Sequence, residues 1–176
     1  MALDIGDNSG GQSAPEDEEG RELVRQFGAL QTHRREQIYS ICGNHDRSHL
    51  SEPEARWFRK WVDPTGENTA FSQVHPDRRP YPIQGTWERY AFQVGNLRFL
   101  MMSDINEPSQ KLGRGDLGGN PAGVVSADTF TWWQQQVESH PDSILLTAHH
   151  YLLKNTTTAT GEFEGLVKTA DGQWAN

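Results

Sequence analysis

The chain has 176 residues, of which 34% are hydrophobic, and its 24 acidic and 16 basic side chains give a net charge of −8. This length is enough for one domain with a buried core, and six tryptophans and seven phenylalanines supply bulky core side chains. The acidic balance argues against a protein that holds nucleic acid by counterion release, the single Cys42 excludes an internal disulfide framework, and no run approaches the roughly 18 apolar residues of a membrane span.

Two strands and one helix are predicted for the first quarter of the chain. The apolar start predicts a strand over residues 1–6, and the Gly- and Ser-containing stretch 7–15 predicts a loop. A helix is predicted over 16–34, because apolar residues recur on one face and acidic residues occupy the first turn. That face carries Leu23, Val24, Phe27 and Leu30. The apolar run 36–42 predicts the second strand.

A short helix, a long loop and a hairpin are predicted for the middle of the chain. The sequence Ser51-Glu52-Pro53-Glu54 has the pattern of a capping box and predicts a helix that carries Trp57, Phe58 and Trp61. Residues 63–86 are rich in Pro, Gly and Asp, which predicts a loop. The runs 87–94 and 97–103 are separated by Gly95-Asn96 and predict a β-hairpin.

The last part of the chain is predicted to repeat the alternation. A second long loop over 104–125 ends at Ser126, which caps a helix to about His140, and 143–148 is predicted to be a buried strand. Residues 151–176 form a polar tail of uncertain structure. Strands that alternate with helices around a central hairpin predict an α/β fold with a mixed sheet. The two long loops favour a functional cleft.

Polar side chains of three kinds follow three of these predicted strands. Gly6-Asp7 follows the first strand, Gly43-Asn44-His45-Asp46 follows the second, and His149-His150 follows the last. Open α/β sheets bind ligands at the carboxyl ends of their strands. Carboxylate and amide oxygens suit a hard cation, and an imidazole can transfer a proton. The simpler interpretations are an Asx-turn at Asp7 and a polar turn at 43–46.

This order of motifs resembles the calcineurin-like metallophosphoesterase superfamily, whose blocks run Asp-x-His, Gly-Asp-x-x-Asp, Gly-Asn-His-Asp or Glu, a lone His, and Gly-His-x-His. The similarity covers residues 1–150. It implies a sandwich of mixed β-sheets flanked by helices, and two metal ions (Mn, Fe, Zn or a mixed pair). It also implies that Asp7 bridges both metals and that Asn44 and His149 bind the second one. His45 would protonate the leaving group, and Asp46 would orient His45.

Other residues are assigned weaker roles at this site. Neighbours on a strand point to opposite faces, so only one of His149 and His150 can face the metals, and the resemblance favours His149. His150, Arg47 and His49 are candidates for substrate contact, with a core edge as the alternative for His150 and a solvated loop as the alternative for Arg47 and His49. Asp104, at the exit of the hairpin, is expected to play a supporting part.

Two blocks of the superfamily pattern are missing from the sequence. No Asp-x-His precedes Asp7, and no Gly-His-x-His follows His150. We therefore expect 1–176 to be a partial domain, with its core in 1–150, incomplete at both ends, and with one metal site incomplete. Met1 is then expected to be internal, so a soluble protein is predicted while secretion stays open.

The resemblance implies metal-dependent hydrolysis of a phosphate ester, by a phosphomonoesterase or phosphodiesterase acting on a small molecule. Two cations would neutralise the phosphate oxygens and activate a water. With one metal site incomplete, full two-metal catalysis by this fragment alone is not expected. Two alternatives stay open. One is a truncated or degenerate domain without catalysis, and the other is a metal-dependent nuclease of the same superfamily, which the net charge of −8 disfavours. The oligomeric state is not indicated.

Overall fold

A computed structural model describes residues 1–11, 13–48, 54–106, 123–151, 167–168, 170–172 and 174–175. Its strands are β1 (Ala2–Asp4), β2 (Ile38–Ser40), β3 (Gln84–Gly85), β4 (Arg89–Val94), β5 (Leu97–Met102), β6 (Ile105–Asn106), β7 (Gly123–Val124), β8 (Ile144–His149), β9 (Val167–Lys168) and β10 (Trp174–Ala175). Its α-helices are α1 (Asp17–Gly28), α2 (Arg56–Trp61), α3 (Thr69–Ser72) and α4 (Ala127–Ser139).

The largest sheet has four strands in the order β3-β4-β5-β8. Strand β4 is antiparallel to β3 and β5, whereas β5 and β8 run parallel. Strands β1 and β2 form a separate parallel pair, and β6–β7 and β9–β10 form two short antiparallel ladders. The chain is therefore a mixed α/β structure with a mixed sheet. None of the helices in the described ranges is long and apolar enough to cross a bilayer.

Stacked aromatic rings hold the β1–β2 pair against the larger sheet. The ring of Phe92 lies between those of Tyr39 and Phe99, with centroid distances of 4.0 and 4.7 Å. Offset stacking of this kind adds to the free energy gained from burial alone. A second buried cluster joins α1 to α2 and contains Leu23, Cys42, Ala55, Trp57, Phe58, Trp61 and Val62. The core thus fixes β2, the strand that leads into the Gly-Asn-His-Asp motif.

Two local predictions are confirmed. The side chain of Ser126 caps α4 by accepting a hydrogen bond from the backbone N–H of Thr129 at 3.1 Å. Strands β4 and β5 form the predicted hairpin, and its turn residue Gly95 has φ +61°, a conformation that favours glycine. In both cases the decisive interaction lies within a few residues, so the sequence carries the signal.

Helix α1 is shorter than predicted. It begins after Glu16, which forms a capping box with Glu19, and it ends at Gly28 instead of continuing to residue 34. The polar residues after Leu30 add nothing to its apolar face, which leaves no packing to extend the helix. The predicted strand 36–42 is also shorter, because a 3₁₀ turn occupies Arg35–Gln37.

The predicted loops contain regular structure. Residues 63–86 include α3, a 3₁₀ turn at Pro76–Arg78 and β3, while β6 and β7 lie at the two ends of 104–125. The ladder of β9 and β10 lies within 151–176. Three residues of the capping box predicted to start the short helix, 51–53, lie outside the described residues, and α2 begins at Arg56.

Backbone hydrogen bonds bring the carboxyl ends of the strands to one edge. The N–H of Ile41 donates to the carbonyl of Asp4 at 3.0 Å, which places the exits of β1 and β2 side by side. The N–H of Asp104 donates to the carbonyl of Cys42 at 2.9 Å. The Cys42 N–H donates in turn to the Ser103 hydroxyl at 2.9 Å, so the exit of β5 lies beside that of β2. Strand β8 runs parallel to β5 with His149 opposite Met102, so all three motifs meet at this edge.

Candidate functional site

Asp7 contacts the other two motifs directly. Its Oδ1 accepts a hydrogen bond from the backbone N–H of His45 at 3.0 Å. Its Oδ2 lies 3.1 Å from Nε2 of His150. One carboxylate therefore joins the exit of β1 to the exits of β2 and β8.

Two glycines allow this close approach. A Cβ atom on Gly43 would lie 2.2 Å from Oδ1 of Asp7, and a Cβ on Gly6 would lie 2.5 Å from the backbone nitrogen of Gly43. Gly6 also has φ +96°, which side chains disfavour. The glycines of Gly6-Asp7 and Gly43-Asn44 are thus required by packing between the two loops.

Asp46 braces these two loops, because its carboxylate accepts hydrogen bonds from the backbone of both. It is fully buried and accepts backbone hydrogen bonds from Asp7, Ser9 and Gly43 at 2.8, 3.0 and 2.9 Å. Burial raises the pKa of Asp46 to about 6, although the bonds from Gly43 and Ser9 favour the charged form. Among the described residues, its hydrogen bonds go to the backbone and not to the ring of His45. In the structure Asp46 therefore braces the two loops, whereas the resemblance implies that it orients the ring of His45.

The backbone carbonyl of Gly11 orients the ring of His45. Nδ1 of His45 lies 2.7 Å from this oxygen. Because a carbonyl can only accept, Nδ1 carries the proton and Nε2 is the nitrogen that remains for other chemistry. Sequence reasoning missed Gly11, since a carbonyl is present at every residue and leaves no signal in the side-chain pattern.

The two histidines at the end of β8 pair with different carboxylates. His150, which contacts Asp7, also has Nδ1 2.7 Å from the carbonyl of Ile5. His149 has Nε2 2.7 Å from Oδ1 of Asp104 and Nδ1 2.8 Å from the carbonyl of Tyr151. The structure therefore places His150 beside Asp7, whereas the resemblance favours His149 for that position.

These contacts shift the pKa values of the paired groups. Burial opposes the charge on His150, but the adjacent Asp7 carboxylate outweighs it and raises the pKa of His150 to about 9. Burial alone would raise the pKa of Asp7, yet the contact with His150 and the N–H of His45 hold the pKa below its usual value. Burial and the Asp104 carboxylate likewise compete at His149, and its pKa is raised. The charged form of each imidazole is thus stabilised by its neighbouring carboxylate.

Asp104 is the supporting residue that the sequence indicated only by position. It is fully buried, and apart from the contact with His149 neither of its carboxylate oxygens has a hydrogen-bond partner within the described ranges. A buried carboxylate with one partner normally has further ligands, either donors or a cation.

The remaining site residues differ in accessibility. Asn44 is 6% exposed. Arg47 is 2% exposed, and its three guanidinium nitrogens have no hydrogen-bond partner among the described residues. Arg47 could thus contact a substrate only if the residues that bury it moved aside. His49 lies outside the described residues.

Carboxylates and imidazoles meet here in pairs. In the part of the chain that the structure describes, no three side chains of His, Cys, Asp or Glu form a group able to hold a metal ion. Asn44 differs from these four residue types in offering a neutral amide oxygen.

Comparisons with known proteins do not add a relative. No family model, curated protein or solved structure matches this chain. The site residues of this chain are therefore the indication of its function.

Proposed function

We propose that this chain carries the site of a metal-dependent phosphate-ester hydrolase, a phosphomonoesterase or phosphodiesterase, within a metallophosphoesterase-type sandwich. The observation that supports the proposal is the position of Asp7, whose two oxygens contact the Gly-Asn-His-Asp loop and His150. Strand exits that are far apart in sequence thus supply a carboxylate, an amide and imidazoles at one edge.

The chemistry of the donor set fits metal ions. Asp7 and Asp104 offer anionic oxygens, Asn44 an amide oxygen, and His149 and His150 imidazole nitrogens, a mixture that suits Mn, Fe or Zn. The buried Asp104 carboxylate, with His149 as its one partner in the described ranges, is the kind of group that a cation would stabilise. When bound, the metals would neutralise phosphate oxygens and make a water acidic enough to attack.

The protein's own groups would handle the leaving group. His45 is half-buried, and the Gly11 carbonyl fixes its tautomer. We assign to the imidazolium form of His45, protonated on both nitrogens, the transfer of its Nε2 proton to the departing alkoxide, which leaves the neutral ring protonated on Nδ1. Asp46 would keep His45 and Asp7 in register, because its carboxylate binds the backbone of both loops.

An assay with p-nitrophenyl phosphate tests the proposal. We expect hydrolysis that depends on added Mn²⁺ or Zn²⁺ and stops with chelator. His45→Ala should lower kcat/KM by about 10²–10⁴-fold, the usual contribution of a general acid. His75→Ala, which removes another half-buried histidine outside the candidate site, is the matched control and should keep the rate. A rate that survives both chelator and His45→Ala overturns the assignment.

The non-catalytic alternative has one observation in its favour. Each candidate imidazole of β8 already faces a carboxylate, and no three ligand side chains of the His, Cys, Asp or Glu type group together in the described ranges. Metal binding measured by calorimetry without turnover of any phosphate ester would favour this alternative.

A further inference from the structure

A cavity of about 240 Å³ lies beside the start of β2, whereas the candidate site lies after the end of this strand. Its lining includes residues 33–36, which precede β2, whereas Asn44 follows the same strand. The volume is slightly below the roughly 300–1,000 Å³ of pockets for drug-sized ligands, so a ligand of about ten non-hydrogen atoms suits it.

One wall of this cavity is apolar. Val24, Phe27 and Leu30, from the last turns of α1 and the residues after it, supply that wall. Leu30 is 43% exposed, which leaves apolar surface for a ligand to cover.

The rest of the lining is predominantly basic. His33, Arg34 and Arg78 are exposed and Arg35 is buried, and Glu36 is the one acidic residue among the described residues of the lining. Basic side chains thus outnumber acidic ones in a chain whose net charge is −8, so the positive charge here is local.

Arg35 is a buried cation without a carboxylate partner in the described ranges. It is 8% exposed, and its guanidinium carbon lies 4.2 Å from the centroid of the Phe27 ring. One nitrogen donates to the carbonyl of Val62, while Nε and Nη1 have no hydrogen-bond partner among the described residues. Burial and the nearby Arg79 lower the pKa of Arg35 to about 10, while Asp4 and Asp63 act in the opposite direction, so Arg35 stays charged near neutral pH. A buried charge of this kind is stabilised by an anion.

We propose that this cavity binds a small organic anion, with one carboxylate or phosphate group facing the exposed Arg34 and Arg78 and an apolar body against Phe27. The guanidinium groups of Arg34 and Arg78 supply charge-assisted hydrogen bonds to the anion, the buried Arg35 adds positive charge to the lining, and the apolar wall removes the body of the ligand from water. The site is separate from Asp7 and does not depend on the proposed hydrolysis.

Benzoate is a suitable probe, because it has nine non-hydrogen atoms and one carboxylate. A chelator in the buffer removes metal ions, so that binding at the candidate metal site does not contribute. Binding is measured by calorimetry or by ¹H–¹⁵N shifts, with benzyl alcohol as the uncharged analogue. We expect benzoate to bind at least about tenfold more tightly than benzyl alcohol, since charged hydrogen bonds contribute most. Phenyl phosphate in the same buffer shows whether phosphate is preferred to carboxylate.

The double variant Arg34→Ala/Arg78→Ala removes the exposed cations while leaving the buried Arg35 in place. It should weaken benzoate binding by about tenfold. Arg25→Ala/Arg56→Ala is the matched control, because it removes the same charge from two exposed arginines that pair with Glu22 and Glu54. No benzoate binding at 10 mM, equal binding of benzyl alcohol, or equal weakening in both double variants overturns the proposal.

Discussion

Gly43 is the residue at which the two candidate loops come closest. A Cβ atom there would lie 2.2 Å from Oδ1 of Asp7 and 2.5 Å from the backbone nitrogen of Asp7, and a backbone atom moves aside less easily than the end of a flexible side chain. We expect Gly43→Ala to lower the free energy of unfolding by about 2 kcal/mol, within the range for overpacked sites. Urea denaturation measures the loss.

Gly28→Ala is the control for this change. Gly28 is the last residue of α1, and a Cβ atom there would have no heavy atom within 4 Å. Its stability should be equal to that of the parent or slightly higher, because alanine favours helix over glycine. Equal stability of Gly43→Ala and the parent would show that the loops can separate, and the packing argument for this motif would then fail.

The sequence could indicate which residues meet at the site but not how they pair. Gly-Asn-His-Asp is recognisable because four adjacent residues carry the signal. The choice between His149 and His150 depends on which face of β8 points towards β1, and alternation along a strand does not determine this. The bracing role of Asp46 depends on N–H groups 37 and 39 residues away, a non-local arrangement that no local pattern contains.

Asp63 organises the start of segment 63–86, for which the sequence predicts a loop. It is buried, and its carboxylate accepts hydrogen bonds from the N–H groups of Glu67 and Asn68 at 2.7 and 2.9 Å and from the Ser72 hydroxyl at 2.7 Å. Helix α3 follows directly. The carboxylate reaches forward over several residues, which explains why Pro and Gly content alone did not predict α3.

Replacing Asp63 by asparagine tests this organisation. Asparagine keeps the shape and tolerates the φ of +50° at this position, but its amide group would turn a donor towards existing donors. We expect the free energy of unfolding to fall by about 1.5–3 kcal/mol, the usual contribution of hydrogen bonds to a charged group. Faster hydrogen exchange at the amides of Glu67 and Asn68 should accompany it.

Asp77→Asn is the appropriate comparison, since Asp77 is exposed in the neighbouring 3₁₀ turn. Its stability should stay within about 0.5 kcal/mol of the parent, as for most surface changes. Similar losses in both variants would mean that negative charge in this region matters more than the bonds of Asp63.

Apolar side chains between the β1–β2 pair and the four-stranded sheet are exposed to solvent along one side. Leu146 pairs with the buried Phe99, and Leu3 pairs with the buried Tyr39, yet Leu146 and Leu3 are each 41% exposed. Ile144 and Ile5 extend this surface with exposures of 54% and 53%. Strand β8 pairs with β5 alone among the described strands, so apolar side chains and unpaired backbone groups occur together. Such edges favour association with other chains.

We expect the chain to self-associate through this surface, and Ile144→Lys/Leu146→Lys should reduce the association measured by light scattering across a concentration series. Lysine on an edge strand opposes strand pairing because its charge must remain hydrated. The change moves the net charge from −8 towards zero, which by itself promotes association, so a reduction would come from the lost apolar surface. Gln134→Lys/Gln135→Lys, on the exposed side of α4, changes the charge equally and should not reduce association. If both double variants scatter like the parent, the chain associates elsewhere or not at all, and the open side of the core is not the cause.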